Sequence, residues 1–117
     1  MDVRTKRVYL DPARGDGLRI LIDRLWPRGV AKEAAAVDYW AKDIAPSHEL
    51  RKWYGHDHAK WPEFRRRYFA ELDANSEGLA ALRAAIGRRK RVTIVFSSKE
   101  EELNHATALR DYLGSES

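Results

Sequence analysis

Two short runs, LRILID from Leu18 to Asp23 and VTIVF from Val92 to Phe96, restrict the folds open to this chain more than any other feature. Ile20, Leu21 and Ile22 follow one another without a polar break, and the second run is β-branched or aromatic at every position. Successive side chains of a strand point to opposite faces, so an unbroken apolar run needs cover on both. Strands with one wet face would alternate instead. The two runs therefore predict an α/β fold: a small, mainly parallel sheet in which these strands pair in parallel, with helices packed on it.

The remaining segments supply the helices. Ala31 to Lys42 is rich in helix-favouring Ala, Lys and Glu, with Val37, Trp40 and Ile44 at helical spacing, which predicts a helix. Pro46 breaks it, Ser47 serves as N-cap for a short helix through Tyr54, and Gly55 closes that helix. From Trp61 to Leu72 the residues Trp61, Phe64, Tyr68, Phe69 and Leu72 form one apolar stripe, with Pro62 in the first turn, where its missing N–H costs nothing. Asn75-Ser76 opens a further helix along Leu79, Leu82 and Ile86, ended by Gly87 and the basic run Arg88 to Arg91. A last helix is expected from Glu100 to Leu113, ended by Gly114, and a short first strand at Val8 to Leu10, ahead of the turn-rich Asp11 to Gly17. Neither repeat nor linker interrupts the 117 residues, so a single domain over 1–117 is predicted.

Composition narrows the chemistry. There is no cysteine, which excludes disulfides, thiolate metal sites and a Cys nucleophile. No apolar stretch approaches the roughly 18 residues that would span a bilayer, and the opening MDVRTKR lacks a signal-peptide core, so no membrane partner and a cytoplasmic location are expected. A net charge of +4, with fifteen of the 22 basic residues being Arg, leans towards anionic partners. Phosphate-binding glycine loops, G-x-G-x-x-G and G-x-S-x-G are all missing, which disfavours the usual nucleotide-dependent enzymes and leaves any cofactor unknown. His48 and the His56-Asp57-His58 triplet match no metal-ligand spacing, so no metal site is expected, and Asp57 reads as a turn or capping residue.

In parallel sheets, ligands bind beyond the carboxyl ends of the strands. That rule selects two segments. After the first run come Asp23, Arg24, Trp26 and Arg28, where guanidinium groups can grip an anion, Trp26 can offer a planar face, and Asp23 can orient an Arg or act as base. After the second come Ser97, Ser98 and Lys99, then Asn104 and His105. Here a serine can cap the helix and His105 can exchange a proton. The leading expectation is a small-ligand or anion-binding cleft with Asp23 and His105 as the catalytic candidates, and with Arg24, Trp26, Arg28, Ser97, Ser98, Lys99 and Asn104 as binding residues. Hydrolysis or group transfer would suit such a set. Structural readings compete at each place: Asp23 and Arg28 paired structurally with neighbours, Trp26 plugging the core, and a half-buried His105 bonded to backbone. The runs Arg65-Arg66-Arg67 and Arg88 to Arg91 allow a nucleic-acid or protein-binding module instead, although solvated helix faces also explain them. A structural or regulatory protein without a ligand is the third alternative. Trp40, Trp53 and Trp61 fall on apolar helical positions and are expected in the core.

The strings IDRLWPRG at 22–29, WAKDIAPSHELRKWYGHD at 40–57, WPEFRRRYFAEL at 61–72 and KEEELNHA at 99–106 resemble the YeaO-like family, a branch of the DUF488 superfamily. The resemblance covers about Lys6 to Leu113, and implies a compact α/β fold and a bacterial-type cytosolic protein. Other branches of that superfamily look as though they carry a Cys and a Glu after the last strand and Cys-His-Arg in the following helix. The corresponding positions here hold Phe96, Ser98, Asn104, His105 and Ala106, so only His105 matches. The resemblance thus implies that most of any such catalytic apparatus is lost.

Overall fold

The computed structural model describes residues 1–115. In chain order these form β1 (Asp2–Arg7), β2 (Leu18–Leu21), α1 (Lys32–Ala35), β3 (Tyr39–Trp40), α2 (His48–Tyr54), α3 (Trp61–Asp73), α4 (Ser76–Ile86), β4 (Arg91–Phe96) and α5 (His105–Ser115), with single 3-10 turns at Arg14–Asp16, Lys42–Ile44 and His58–Lys60. The strands make one four-stranded sheet in the order β1-β4-β2-β3, parallel throughout. The two apolar runs pair as expected, Ile20 opposite Ile94 and Leu21 opposite Val95. Among the described residues no helix is long and apolar enough to cross a membrane.

The register explains why both runs had to be apolar. Leu18, Ile20, Ile22, Val92, Ile94 and Phe96 face the main core, where residues of α2, α3, α4 and α5 pack on them. Leu21 and Val95 face the other way, into a smaller cluster with Val8 and Ala35, covered by Trp26, Val30, Val37 and Trp40. The segment after β2 therefore covers one face of the sheet and the helix after β4 covers the other. Between two adjacent strands whose continuations diverge, a crevice opens at the carboxyl ends.

Several element boundaries differ from expectation. The first strand is Asp2–Arg7, and Val8 to Leu10 leads into a turn closed by Leu10 N–H on the Arg7 carbonyl. Charged side chains suit this edge position, where Arg4 and Lys6 meet Asp2 and Asp16. The expected helix over Ala31 to Lys42 shrinks to the single turn Lys32–Ala35, stopped by Ala36 in the left-handed conformation at φ 50. Tyr39 and Trp40 are instead drawn into the sheet beside Ile20 and Leu21, as suits aromatic residues. The last helix begins at His105, not Glu100, because Glu100 organises residues 98–104 as a loop: its carboxylate accepts from Glu102 and Leu103 N–H, and its carbonyl accepts from Asn104 Nδ2. Asn104, rather than Ser97 or Ser98, caps that helix by accepting from Thr107 N–H at 3.0 Å, and Gly114 lies within it rather than ending it.

The other helices follow the sequence closely. Ser47 Oγ accepts from Leu50 N–H at the start of α2, and Gly55 closes it at φ 53. Pro62 sits in the first turn of α3, Asn75 caps α4, and Asp57 caps the turn at His58–Lys60. Trp53 and Trp61 pack against the main core and Trp40 against the smaller one.

Candidate functional site

Asp23 leaves the sheet two residues beyond β2, and His105 opens α5 after the loop from β4. The two meet across the crevice, His105 Nε2 lying 2.7 Å from Asp23 Oδ1, with side-chain exposures of only 12% and 10%. The other carboxylate oxygen accepts from Ser97 N–H at 2.9 Å, and the Asp23 carbonyl accepts from the Trp40 indole at 2.7 Å. Burial pushes the Asp23 carboxyl up, but the hydrogen bond and charge of His105 and the hydrogen bonds from Ser97 outweigh it and hold the group below its ordinary value. Asp23 is thus an ionised carboxylate with both oxygens engaged.

This pair forms the floor of a cleft of about 570 Å³. Ser97, Ser98 and Asn104 line it beside the pair, Tyr54 and Phe64 form an apolar wall, and Leu25 makes a lip that is 76% exposed. The Tyr54 and Phe64 rings stack with centroids 4.3 Å apart, and the Tyr54 hydroxyl donates to the Leu103 carbonyl at 2.8 Å, tying α2 to the loop after β4. Arg7 holds that loop from behind, donating to the Ser98 and Ser97 carbonyls at 3.0 and 3.4 Å. The remaining wall comes from α2 and its exit: His48, Arg51, Lys52 and His56. His56 follows Gly55 into the left-handed region, at φ 59, a conformation more common for His than for most side chains but still locally unfavourable.

Five of the nine residues singled out in the sequence line this cleft: Asp23, Ser97, Ser98, Asn104 and His105. The other four do not converge there. Arg24 donates to the Ala45 and Pro46 carbonyls at 3.1 and 3.2 Å and so fixes the approach to α2. Trp26 donates to the Val30 carbonyl and meets Trp40 edge-on on the smaller core. Arg28 is exposed, its carbonyl taking the Tyr9 hydroxyl, and Lys99 is exposed as well. Arg24 and Arg28 thus do not line this cleft, and Asp23 pairs with His105. The cations on the cleft are Arg51 and Lys52, which sequence reasoning passed over. Their signal was available: His48, Arg51 and Lys52 stand at i, i+3 and i+4 of a capped helix and so share one face.

The basic runs lie elsewhere. Arg66 and Arg67 both bond Glu63, Arg65 bonds Asp111, and Arg91 bonds Asp2 and the Gly15 carbonyl. Among the described residues, no group of three or more His, Cys, Asp or Glu is placed to hold a metal ion.

Fold and site together define an all-parallel α/β domain with a cation-rimmed crevice at the strand carboxyl ends. The chain belongs to the DUF488 family, matching over residues 2–117 the branch described as the inactive DUF488-N3 subclade. It is 45% identical over 116 residues to the uncharacterized protein YeaO of Escherichia coli (strain K12), covering 98% of this chain and 99% of that one. It is also 44% identical over 111 residues to the uncharacterized proteins Mb3100c of Mycobacterium bovis (strain ATCC BAA-935 / AF2122/97) and Rv3073c of Mycobacterium tuberculosis (strain ATCC 25618 / H37Rv), covering 95% of this chain and 92% of each of those. No solved structure matches it.

Proposed function

We infer that this protein binds a small anionic ligand, of the phosphorylated-metabolite class, in the cleft above Asp23 and His105, and that holding the ligand rather than transforming it is its role. The observation that carries this reading is an imbalance of charge on the cleft wall. Arg51 and Lys52 line it without an ion-pair partner among the described residues, while the one carboxylate lining the cleft, Asp23, is engaged by His105 and Ser97. An anion entering the cleft meets two free cations and no free negative charge. A volume of about 570 Å³ is within the range of small-molecule sites. The description of the family branch as inactive supports binding over catalysis, as does the absence of Cys, Glu and Arg from the positions where other branches of the superfamily look to carry them.

A thermal-shift screen against sugar phosphates, nucleotides and other phosphorylated metabolites tests the reading. A ligand at a hundred times its Kd stabilises the native state by about 2.7 kcal/mol, which is readily seen. The expected result is at least one hit that disappears in the Arg51→Ala/Lys52→Ala variant. A screen without hits, or hits that survive in that variant, overturns the assignment.

A further inference from the structure

We propose that His105 makes the cleft selective for anions that also carry a hydrogen-bond donor, such as a hydroxyl or an N–H set back from the phosphate. This rests on the anion reading and adds which anions are accepted. The argument begins with the proton between Asp23 and His105. Asp23 is an ionised carboxylate with no proton to give, so the bond of 2.7 Å requires the hydrogen on His105 Nε2. In the neutral ring the second nitrogen, Nδ1, is then bare and can only accept. Among the described residues Nδ1 has no hydrogen-bond partner and no buried side-chain nitrogen or oxygen is left unpaired, so it reaches open space, and the space that His105 borders is the cleft.

The neighbouring polar groups sharpen this. Asn104 bonds the Glu100 carbonyl through Nδ2 and Thr107 N–H through Oδ1, and the Ser98 hydroxyl accepts from Glu100 N–H. The Tyr54 hydroxyl donates to the Leu103 carbonyl. Each Asp23 oxygen already accepts one hydrogen bond, from His105 or from Ser97, and the role assigned to Asp23 is to orient His105. With the ring neutral, Nδ1 is therefore a fixed acceptor on the floor, while Arg51 and Lys52 supply cationic donors on the wall. A ligand that offers the wall a charge but the floor only a hydrocarbon leaves Nδ1 dehydrated and unpaired, which is unfavourable. A ligand with a hydroxyl at that depth satisfies both.

Glycerol 3-phosphate and propyl phosphate separate the two cases, being equal in chain length and in phosphate charge and differing in the hydroxyls. Calorimetric titration at about pH 8, where a histidine ring is ordinarily neutral, should show glycerol 3-phosphate bound roughly tenfold more tightly. In His105→Phe, which keeps a flat ring but no acceptor, that ratio should fall to near one. Equal affinity in the unaltered protein, with both compounds lost in Arg51→Ala/Lys52→Ala, overturns this proposal and leaves the anion reading standing. Binding of neither at millimolar concentration removes both. Should His105→Phe fail to fold, imidazole nitrogen NMR of the unaltered protein decides: a proton on Nε2 with Nδ1 bare is expected, and a proton on Nδ1 in the neutral ring contradicts it.

Discussion

At the scale of single residues, the most consequential contact is that between Asp23 and His105. Both side chains are nearly buried, and each satisfies the other. Asp23→Ala leaves His105 Nε2 and Ser97 N–H unpaired together, for which a loss of about 3 kcal/mol is expected in chemical denaturation. The pH dependence has a definite sign. The carboxyl of Asp23 titrates lower in the folded chain than in the unfolded one, so its contribution is complete above about pH 4 and fades as pH falls through the folded value. The stability difference between the unaltered protein and Asp23→Ala should therefore narrow in denaturation series taken below about pH 4. A constant difference down to full acid unfolding would mean that the carboxylate is not the group lost. Of this contact the sequence showed both members but not their pairing. Asp23 and His105 are 82 residues apart, and only the adjacency of β2 and β4 brings them together.

At the scale of elements, α2 and the turn before β2 show how far local signals reach. The start and end of α2 were legible because both caps are written in the chain: a serine side chain on a backbone N–H, and a glycine in the left-handed region. Ser47 does more than cap. Its hydroxyl also donates to Glu71 at 2.6 Å, anchoring α2 to α3. Ser47→Ala should cost about 1 to 2 kcal/mol and speed amide exchange in α2, the helix that presents Arg51 and Lys52. Exchange in α2 unchanged from that of the unaltered protein would show that the cap does not set the helix. Gly17 has φ +66, and a Cβ there would run into the Arg91 main-chain carbonyl. Gly17→Ala is expected to cost a few kcal/mol by thermal or urea melting, since both the conformation and the space are refused. The boundaries that local reasoning misplaced were decided from outside. Tyr39 and Trp40 joined the sheet because the edge of β2 needed hydrogen bonds, and residues 100–104 became a loop because Glu100 captured their N–H groups. Propensity within a segment carries no information about either demand.

At the scale of the whole molecule, the sheet divides structural from exposed apolar residues. Ile94, on the central strand β4, is fully buried among helices, while Leu25 projects from the lip of the cleft. Ile94→Ala should lower stability by about 3 to 4 kcal/mol through the cavity it leaves, and Leu25→Ser should change it by no more than about 0.5 kcal/mol. Comparable losses from the two would contradict the described packing. The crevice itself follows from chain direction: β2 and β4 lie side by side and parallel, and the segments that leave them cover opposite faces. The general position of the site was therefore readable from two apolar runs and their order, whereas its cations were not. Arg24 and Arg28 are near in sequence but turn to the Ala45 and Pro46 carbonyls and to solvent, and the wall is built by α2, a helix that sequence order does not place beside β2 and β4. The central claim, that this cleft is where an anion binds, is tested most directly by amide NMR of the isotope-labelled protein titrated with glycerol 3-phosphate. Saturable shifts at Arg51, Lys52, Ser97, Ser98 and His105, abolished in Arg51→Ala/Lys52→Ala, are expected. Shifts confined to Arg65 to Arg67 and Arg88 to Arg91, with the cleft residues unmoved, would contradict it.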